Sequence, residues 1–307
     1  MKIKNEFQLI KTLTKNFKIY HHDLKVGIGD DTAVIKNGKK YFLLTCDCLV
    51  ENDHFNCAWA TPKQIGRKAV EVNVSDIAAA GGLPKYMLVS IVLTKDTREK
   101  WVKDVYTGMK EICDKYKITL AGGDTTHGPI KMLDIFLLGE TKKPILRSNA
   151  KTNDLICVTG QVGGSTAGLK LFRQNKKVPI ILRQKHLEPK ARLDVSHIIA
   201  KYANSMIDVS DGIGSEVRHI CEESKKGAII YAEKIPLCPG ATLKDALSGG
   251  EDFELLFTIN KNKLKKLKNI DYTVIGEIKN KKYGIWLMKN FNKLLMPKGY
   301  DHFTNNP

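Results

Sequence analysis

The sequence predicts an α/β protein whose two halves face each other across a cleft. The chain has 307 residues, enough for two domains with sizeable cores. Short apolar runs with strand character alternate with longer segments of helical periodicity along the chain. A polar, irregular segment, "ETKKPILRSNAKTND" at 140–154, separates two such runs of elements. We therefore predict two domains, residues 1–146 and residues 147–307.

In the first half, the helix after Thr61 carries the clearest end signals. Threonine is a favoured N-cap residue, Pro62 suits the first helical position, and Gly81-Gly82 can end the helix. The segment "AGGDTTHG" at 121–128 is predicted as a Gly-Gly-Asp turn before the last strand of this half. The other predicted elements are helices over 6–17 and 97–116 and strands over 32–36, 41–47, 86–93 and 131–138.

The second half has a similar alternation of predicted strands and helices. A strand is predicted to enter "IDVSD", and a basic helix is predicted between the last two strands. The remaining predicted elements are strands over 155–159, 228–232, 253–259 and 272–278 and helices over 164–173, 189–203 and 213–224.

Composition argues against several classes of protein. The longest apolar runs, such as "MLVSIVL" at 87–93, are too short to span a bilayer, and the first residues lack the features of a signal peptide. Seven cysteines scattered through a long chain do not suggest a disulfide framework, and the lone pair Cys46 and Cys48 lacks the second pair expected of a zinc site. We expect a cytoplasmic protein with no membrane partner.

The basic charge balance predicts anionic small substrates rather than nucleic acid. The formal net charge is +17, but the lysines are spread along the chain. Their densest cluster, "NKNKLKKLKN" at 260–269, reads as the solvated face of a short helix. No nucleic-acid-binding motif accompanies it, and charge alone supports only non-specific attraction to polyanions.

Acidic residues recur beside glycine, serine, threonine or alanine in turn-like settings. Carboxylates and hydroxyls are the hard oxygen ligands that Mg²⁺ prefers, and Mg²⁺ is commonly held by a few carboxylates together with substrate phosphates. Several of these aspartates taken singly could instead be turn or cap residues. Together they predict a multi-metal nucleotide site. The residues are Asp30, Asp31, Asp47, Asp76, Asp124, Asp208, Asp211, Glu251 and Asp252.

Asp76 is the hardest of these residues to explain as a cap. It lies inside an Ala-rich helical pattern, "VSDIAAAGG", where small neighbours indicate close packing. An unpaired carboxylate is costly to bury there, so the sequence favours a cation as its partner.

Other nucleotide and nucleophile motifs do not match. In "GGSTAGLK" at 163–170, Leu169 occupies the position that a P-loop lysine would need, and "GIGDD" and "DGIGSE" lack the G-x-G-x-x-G dinucleotide pattern. The histidines show no metal-binding spacing, and no G-x-S-x-G occurs. A phosphate monoester is mostly ionised near neutral pH, so an acceptor of that kind needs no general base.

Eight motifs together resemble one family. In chain order they are "GIGDDTAV", "TCDCLVENDHF", "VNVSDIAAAGGLP", "AGGDTTHGP", "TGQVGGSTAGL", "IDVSDGIGSE", "SGGEDFELLFT" and "GYDHF". This set resembles the thiamine-monophosphate kinase family of the aminoimidazole-ribonucleotide-synthetase-like superfamily over essentially the whole chain. The resemblance implies ATP-dependent phosphorylation of thiamine monophosphate to thiamine diphosphate with several Mg²⁺ ions. It also implies an α/β (α+β) fold in which the N-terminal sheet pairs across a homodimer into a β-barrel and a C-terminal α+β domain closes the cleft.

The same resemblance implies roles for individual residues. Asp76, Asp124 and Asp208 are expected to be catalytic. The nucleotide contacts are Tyr106, Gly123, Asp124, Arg147 and Ser210, and the substrate contacts are His54, Glu251 and Phe303. The magnesium ligands are Asp30, Thr45, Cys46, Asp47, Asp76, Asp124, Asp208 and Asp211.

For three of these residues, the chemistry of the side chain bears on the implied role. Cys46 stands where the family usually has a hydroxyl residue, so either its backbone carbonyl is the ligand or that contact is lost. The thiazolium ring of thiamine is permanently positive, and a carboxylate at Glu251 and an aromatic face at Phe303 both favour a cation.

Two other functions stay open at this point. One is an ATP-dependent enzyme similar to aminoimidazole ribonucleotide synthetase, which would use the same ATP chemistry on another substrate. The other, of a different class, is a non-catalytic basic nucleotide-binding protein. Magnesium-dependent ATP binding that survives high salt would separate an enzyme from a non-specific polyanion binder.

Overall fold

The structure is a computed structural model that describes residue 3 and residues 6–303. It confirms the mixed α/β class, with two sheets and helices packed against them. The helices are α1 (Glu6–Thr14), α2 (Pro62–Ala79), α3 (Glu99–Tyr116), α4 (Gly164–Arg173), α5 (Ile180–Leu187), α6 (Leu193–Ile199), α7 (Ile213–Ser224) and α8 (Leu243–Ser248). The strands are β1 (Leu24–Val26), β2 (Ala33–Asn37), β3 (Lys40–Val50), β4 (Leu83–Leu93), β5 (Thr119–His127), β6 (Met132–Thr141), β7 (Leu155–Thr159), β8 (Ser205–Asp208), β9 (Lys226–Tyr231), β10 (Leu255–Ile259), β11 (Tyr272–Asn280), β12 (Ile285–Lys289) and β13 (Asn292–Leu295).

The first sheet has six strands in the order β1-β2-β3-β6-β4-β5. Its neighbouring strands are antiparallel except for β4 and β5, which run parallel. Helices α2 and α3 pack against each other, and α2 contacts β3, β4 and β6. Ile77 of α2 is fully buried in the same core as Met87 and Ile135 of the sheet. This packing fixes α2 directly over the strands that carry several of the predicted site residues.

Helix α2 begins where the sequence predicts. Thr61 accepts a hydrogen bond from the Gln64 backbone N–H, and the Gln64 side chain accepts one from the Thr61 backbone N–H, which forms a capping box. Pro62 occupies the first helical turn. The predicted start of this helix is therefore confirmed.

The predicted Gly-Gly-Asp turn is wrong, because Gly122, Gly123 and Asp124 lie within strand β5. Gly123 explains the strand: a Cβ there would lie 1.9 Å from the Val89 carbonyl oxygen, so only glycine lets the two parallel strands approach so closely. Every residue of β5 is exposed. On β4 the buried Met87, Val89 and Ile91 alternate with the exposed Leu88 and Ser90. The sheet therefore presents one face to the helices and leaves the other face open.

The second sheet has seven strands in the order β13-β12-β9-β11-β7-β10-β8. Strand β10, between β7 and the edge strand β8, is buried along its whole length, with α7 on one face and the α6 region on the other. The predicted helix over 189–203 is too long. Instead α5 ends at Leu187, Pro189 interrupts the helical backbone, and α6 begins at Leu193. The basic segment forms only a short 3-10 helix, Lys261–Lys266, and α5, α8, β12 and β13 were not predicted.

Among the residues that the structure describes, no helix combines the length and the apolar character needed to cross a membrane.

Candidate active site

Three carboxylates from distant parts of the chain converge beneath the first sheet. Asp31 precedes β2, Asp76 lies in the last turns of α2, and Asp208 ends β8. One oxygen from each of these side chains lies within 4.8 Å of the others. These three residues are called the acidic cluster below.

Short hydroxyl side chains orient the acidic cluster. The Ser75 hydroxyl donates to Asp208 Oδ2 over 2.6 Å, and the Thr45 hydroxyl donates to Asp76. Because Ser75 and Asp76 are neighbours on α2, this helix supplies both a cluster carboxylate and the group that orients another. The sheet and both halves of the chain therefore meet at this point.

Electrostatics show that the cluster is short of positive charge. Burial raises the pKa of Asp208 to about 8, with Asp31 the next cause. Burial also raises the pKa of Asp76 well above its usual range, and the nearby Asp47, Asp208 and Asp31 add to this. Burial raises the pKa of Asp31, and the Arg147 guanidinium opposes that rise. Burial first, and then the repulsion between neighbouring carboxylates, therefore disfavours the charged forms of this cluster.

The donor set fits a divalent cation. Asp31 Oδ2 is buried and has no hydrogen-bond partner among the described residues, so one cluster oxygen remains available. All of the nearest donors are carboxylate or hydroxyl oxygens, the ligands suited to Mg²⁺. A bound cation would lower the raised pKa values and offset the repulsion.

Two further predicted ligands extend from the cluster to an open cavity of about 670 Å³. Asp47 and Asp211 line this cavity, and the charge of Asp47 acts on both Asp76 and Asp208. Burial raises the pKa of Asp47 to about 6 and that of Asp211 to about 7. Acidic groups therefore run from the buried cluster to the cavity wall.

The structure places Asp31, rather than Asp30, in the cluster. The two oxygens of Asp30 accept hydrogen bonds from the backbone N–H groups of Asp31 and Arg147. Asp31 was counted among the acidic residues by sequence but was not assigned as a ligand. The only sequence signal for it was its place beside Asp30 in "GIGDD".

Arg147 lies at the edge of the cluster. Its Nε and Nη2 donate to Asp31 Oδ1 over 3.1 and 2.6 Å. Its side chain is largely buried. A guanidinium so placed can partly neutralise the acidic cluster.

Thr45 and Cys46 point to opposite faces of β3. Strand geometry turns successive side chains to opposite sides, so Thr45 faces Asp76 while Cys46 is exposed on the open face. Cys46 Sγ donates to Asp134 Oδ1 over 3.1 Å, and burial together with this bond raises the pKa of the thiol to about 12. The thiol is therefore directed away from the acidic cluster, and only a backbone contribution from Cys46 is compatible with this orientation.

The structure does not bring the remaining nucleotide-binding candidates of the first half to the cluster. Along the sheet, Asp47 is in register with Ile135, Ile135 with Val89, and Val89 with Gly123. At about 4.8 Å per strand, Gly123 and its neighbour Asp124 lie about 14 Å from Asp47 across the sheet. Tyr106 lies on α3 and packs against the first core.

Of the predicted substrate contacts, His54 and Glu251 line the cavity, as does the nucleotide candidate Ser210. Phe303 is exposed and does not line it, whereas Tyr300 and His302 from the same "GYDHF" motif do. Sequence reasoning chose the aromatic residue at the end of this motif, but the tyrosine faces the cavity.

Basic side chains line the same cavity and were also missed. Lys170 and Arg173 from α4 and Lys244 from α8 lie on its wall, and Lys170 is paired with Asp245. The spacing of Lys170 and Arg173, three residues apart on a helix, was the available signal. These cations can attract the phosphates of a ligand toward the acidic wall.

A second cavity, of about 970 Å³, is lined by only one of the acidic residues singled out by sequence, Asp252, and by none of the residues assigned a catalytic, binding or metal-ligand role. It lies between the end of α3 and the α5–α6 region, and its walls include Lys115, Glu188, Arg192 and Glu254. Arg192 pairs with Glu254, and Arg67 pairs with Glu188, so much of its charge is compensated internally. We therefore place the candidate active site at the smaller cavity.

Comparison with known proteins finds similar sequences and structures over nearly the whole chain. A family model, the N-terminal domain of AIR synthase related proteins, matches residues 29–141. A thiamine-monophosphate kinase of Buchnera aphidicola subsp. Schizaphis graminum is 40% identical over 321 residues, covering 97% of this chain and 99% of that protein. A thiamine-monophosphate kinase of Aquifex aeolicus is 36% identical, covering 99% of each chain. The solved structure of AaThiL complexed with AMPPCP and TMP has a TM-score of 0.89 at 36% identity, covering 99% of each chain.

Proposed function

The chain belongs to the thiamine-monophosphate kinase family and phosphorylates thiamine monophosphate to thiamine diphosphate with ATP, and we propose that the transfer is direct and in line, with magnesium held by the acidic cluster. The observation that carries this mechanism is the convergence of Asp31, Asp76 and Asp208 beside a cavity lined with basic side chains. The relatives named above support the activity over nearly the full length of the chain.

The chain's own residues account for positioning and charge. Asp31, Asp47, Asp76, Asp208 and Asp211 would hold the metal ions, whose positive charge lets the two phosphate-bearing substrates approach each other. The acceptor phosphate is largely ionised near neutral pH, so the cavity does not need to supply a general base. Positioning and charge stabilisation then supply most of the acceleration.

The substrates are proposed to divide between the walls of the cavity. Basic residues such as Arg173 and Lys244 attract the phosphates, and Arg147 and Ser210 contact the nucleotide. His54, Glu251 and Tyr300 surround the thiamine moiety. Phe303 lies outside the cavity wall, so we do not assign it a contact.

We propose a homodimer in which the open face of the first sheet is covered by a second copy, as the family resemblance implies. Apolar side chains on this face, Leu83, Tyr86, Leu88 and Leu120, are exposed. A contiguous apolar surface of this kind favours association. Asp124 and Gly123 lie on the adjoining exposed strand, so we place their roles in the dimer, in which the two sheets form a barrel. Sedimentation velocity should show a dimer for the wild-type chain and a monomer for Leu88→Asp.

The domain assignment follows from the same proposal. Residues 1–146 bind nucleotide and magnesium and form the dimer contact, and residues 147–307 close the cleft. The protein would act in the cytoplasm on small-molecule substrates.

Incubation of the protein with Mg-ATP and thiamine monophosphate tests the function. Mass spectrometry should detect thiamine diphosphate and ADP, with little product when free thiamine or formylglycinamidine ribonucleotide replaces the acceptor. Turnover of formylglycinamidine ribonucleotide instead would favour the aminoimidazole ribonucleotide synthetase alternative. ATP binding that needs no magnesium and disappears in high salt, without turnover, would favour the non-catalytic alternative.

A further inference from the structure

A buried lysine lies behind the substrate side of the cavity. Lys68 is in the middle of α2 and is only 3% exposed. A lysine is almost never buried unless its charge is paired. Its ammonium donates to Glu251 Oε1 over 2.7 Å and to the His54 carbonyl oxygen over 2.8 Å. One charged group therefore contacts both of the substrate-contact candidates that line the cavity.

These two candidates come from different parts of the chain. His54 lies in the loop after β3, where its Nδ1 accepts from the Val50 backbone N–H over 3.2 Å. Glu251 belongs to the segment between α8 and β10 and has a positive φ of 64°, which non-glycine residues adopt only with support from their surroundings. The Glu251 backbone N–H also donates to the Ser210 carbonyl oxygen over 2.7 Å. Helix α2 thus holds a loop of the first half and a strained segment of the second half in one arrangement.

The charge of Glu251 is already compensated within the protein. Its second oxygen lies 3.4 Å from His186 Nδ1, and that nitrogen is also 3.1 Å from the Ser165 hydroxyl. Burial and the nearby Lys68 lower the pKa of His186 to about 4, so this imidazole is neutral near pH 7. Lys68 and Glu251 therefore form a neutral pair, and the carboxylate offers a fixed hydrogen-bond acceptor more than a free negative charge.

We propose that Lys68 is a positioning residue for thiamine monophosphate, which aims the Glu251 carboxylate and the His54 loop at the thiamine moiety. This inference rests on the proposed function, because it assumes that Glu251 contacts that substrate. The aminopyrimidine of thiamine carries an exocyclic amino group, a hydrogen-bond donor that an oriented carboxylate recognises. Because the Glu251 charge is already paired, we expect its hydrogen bond with this amino group to contribute more to binding than its attraction to the positive thiazolium ring.

The test compares Lys68→Met with a matched control, Lys115→Met. Lys115 also pairs with a buried glutamate, since its ammonium lies 2.9 Å from Glu71, but it lies outside the site. Lys68→Met should raise KM for thiamine monophosphate by about 10-fold or more, with kcat and KM for ATP changed less than about threefold. Lys115→Met should leave all three constants near their wild-type values. A KM for thiamine monophosphate within about twofold of wild type in Lys68→Met, or an equal rise in both KM values, would overturn the proposal.

A double variant keeps the test valid if Lys68→Met does not fold. Lys68→Met/Glu251→Gln removes both charges, so no unpaired charge is left in the interior. If Lys68 acts through Glu251, the KM of the double variant for thiamine monophosphate should match that of Glu251→Gln alone. A further increase of about 10-fold over Glu251→Gln would show that Lys68 acts independently of Glu251 and would contradict the proposal.

The wild-type assay separates the two hypotheses. If the wild-type chain makes no thiamine diphosphate, the proposed function itself fails, and the Lys68 inference fails with it. If the wild type is active and Lys68→Met has unchanged substrate constants, only the positioning inference is wrong.

Discussion

The acidic cluster and the Lys68–Glu251 pair are two charged regions of one site with opposite electrostatic states. In the cluster, Asp31, Asp76 and Asp208 are held together, and among residues 6–303 Arg147 is the cation that pairs with one of them. In the pair, a single, partly exposed carboxylate has its own buried lysine at 2.7 Å. Burial alone would raise the pKa of Glu251, but Lys68 lowers it below its ordinary value, whereas the pKa of Asp208 rises to about 8. The cluster therefore requires charge from outside the chain, and the pair does not.

This difference assigns the two regions different tasks. A set of carboxylates that lacks counter-charges costs free energy of folding until a cation binds. A paired carboxylate has no such requirement and is suited to hold a fixed position. The comparison predicts that neutralising one acidic residue has opposite effects on stability in the two regions.

The largest expected effect is on activity when the cluster loses a carboxylate. Asp76→Asn keeps the shape of the side chain and can still accept from Thr45, but it removes a negative charge from the proposed metal site. We expect the turnover rate to fall by about 10²–10³-fold or more. The melting temperature without divalent metal should rise by about 2–4 °C, because a buried repulsion is relieved. Steady-state kinetics and calorimetry in EDTA would measure both effects, and a metal-free protein destabilised by the substitution would contradict the assignment.

Variants of the two neighbouring aspartates of "GIGDD" test which of them belongs to the acidic cluster. Asp31→Asn should lower turnover at limiting magnesium at least about 10-fold more than Asp30→Asn does, since the Asp30 oxygens are occupied by backbone N–H groups. Measuring rates across a magnesium titration tests this, with recovery at high magnesium expected for a ligand variant. Equal losses in the two variants would mean that Asp30 is as much a part of the metal site as Asp31.

In the Lys68–Glu251 pair, neutralising the carboxylate should lower the stability of the protein rather than raise it. Glu251→Gln leaves the Lys68 ammonium buried without its carboxylate, so the free energy of unfolding should fall by about 2–4 kcal/mol. Urea unfolding of this variant beside Asp76→Asn gives the comparison directly. A Glu251→Gln protein as stable as the wild type would show that Lys68 does not depend on this partner.

A smaller effect is the pH dependence of stability. The pKa values of Asp47, Asp211 and Asp208 in the folded chain, about 6, 7 and 8, lie above the ordinary value of 3.8. Groups with raised folded-state pKa values stabilise the fold below pH 4 and lose that contribution as the pH rises through 6 to 8. In EDTA the melting temperature should therefore fall between pH 5.5 and 8. Magnesium should raise it more at pH 8 than at pH 5.5, and a magnesium effect independent of pH would argue against binding at these carboxylates.

Sequence patterns predicted the fold class and part of the candidate site because their signals are local. The Thr61 capping box, the buried strand at β7 and the acidic residues beside small neighbours are each visible in a few adjacent residues. Local sequence could not distinguish Asp30 from Asp31, because the distinction depends on which of the two side chains the folded backbone directs toward α2. The burial of Lys68 could not be predicted either, because a lysine within a helix is usually exposed and its tertiary partners are distant in sequence. β5 was missed because glycines that permit close strand packing look locally like a turn.

The central claim, that the acidic cluster binds divalent cations, is tested most directly by titrating the protein with Mn²⁺ and following free Mn²⁺ by electron paramagnetic resonance. Wild-type protein and the exposed-acid control Asp114→Asn should bind Mn²⁺ alike. Asp76→Asn and Asp208→Asn should bind fewer ions, or bind them at least about 10-fold more weakly. Unchanged stoichiometry and affinity in both cluster variants would contradict the account.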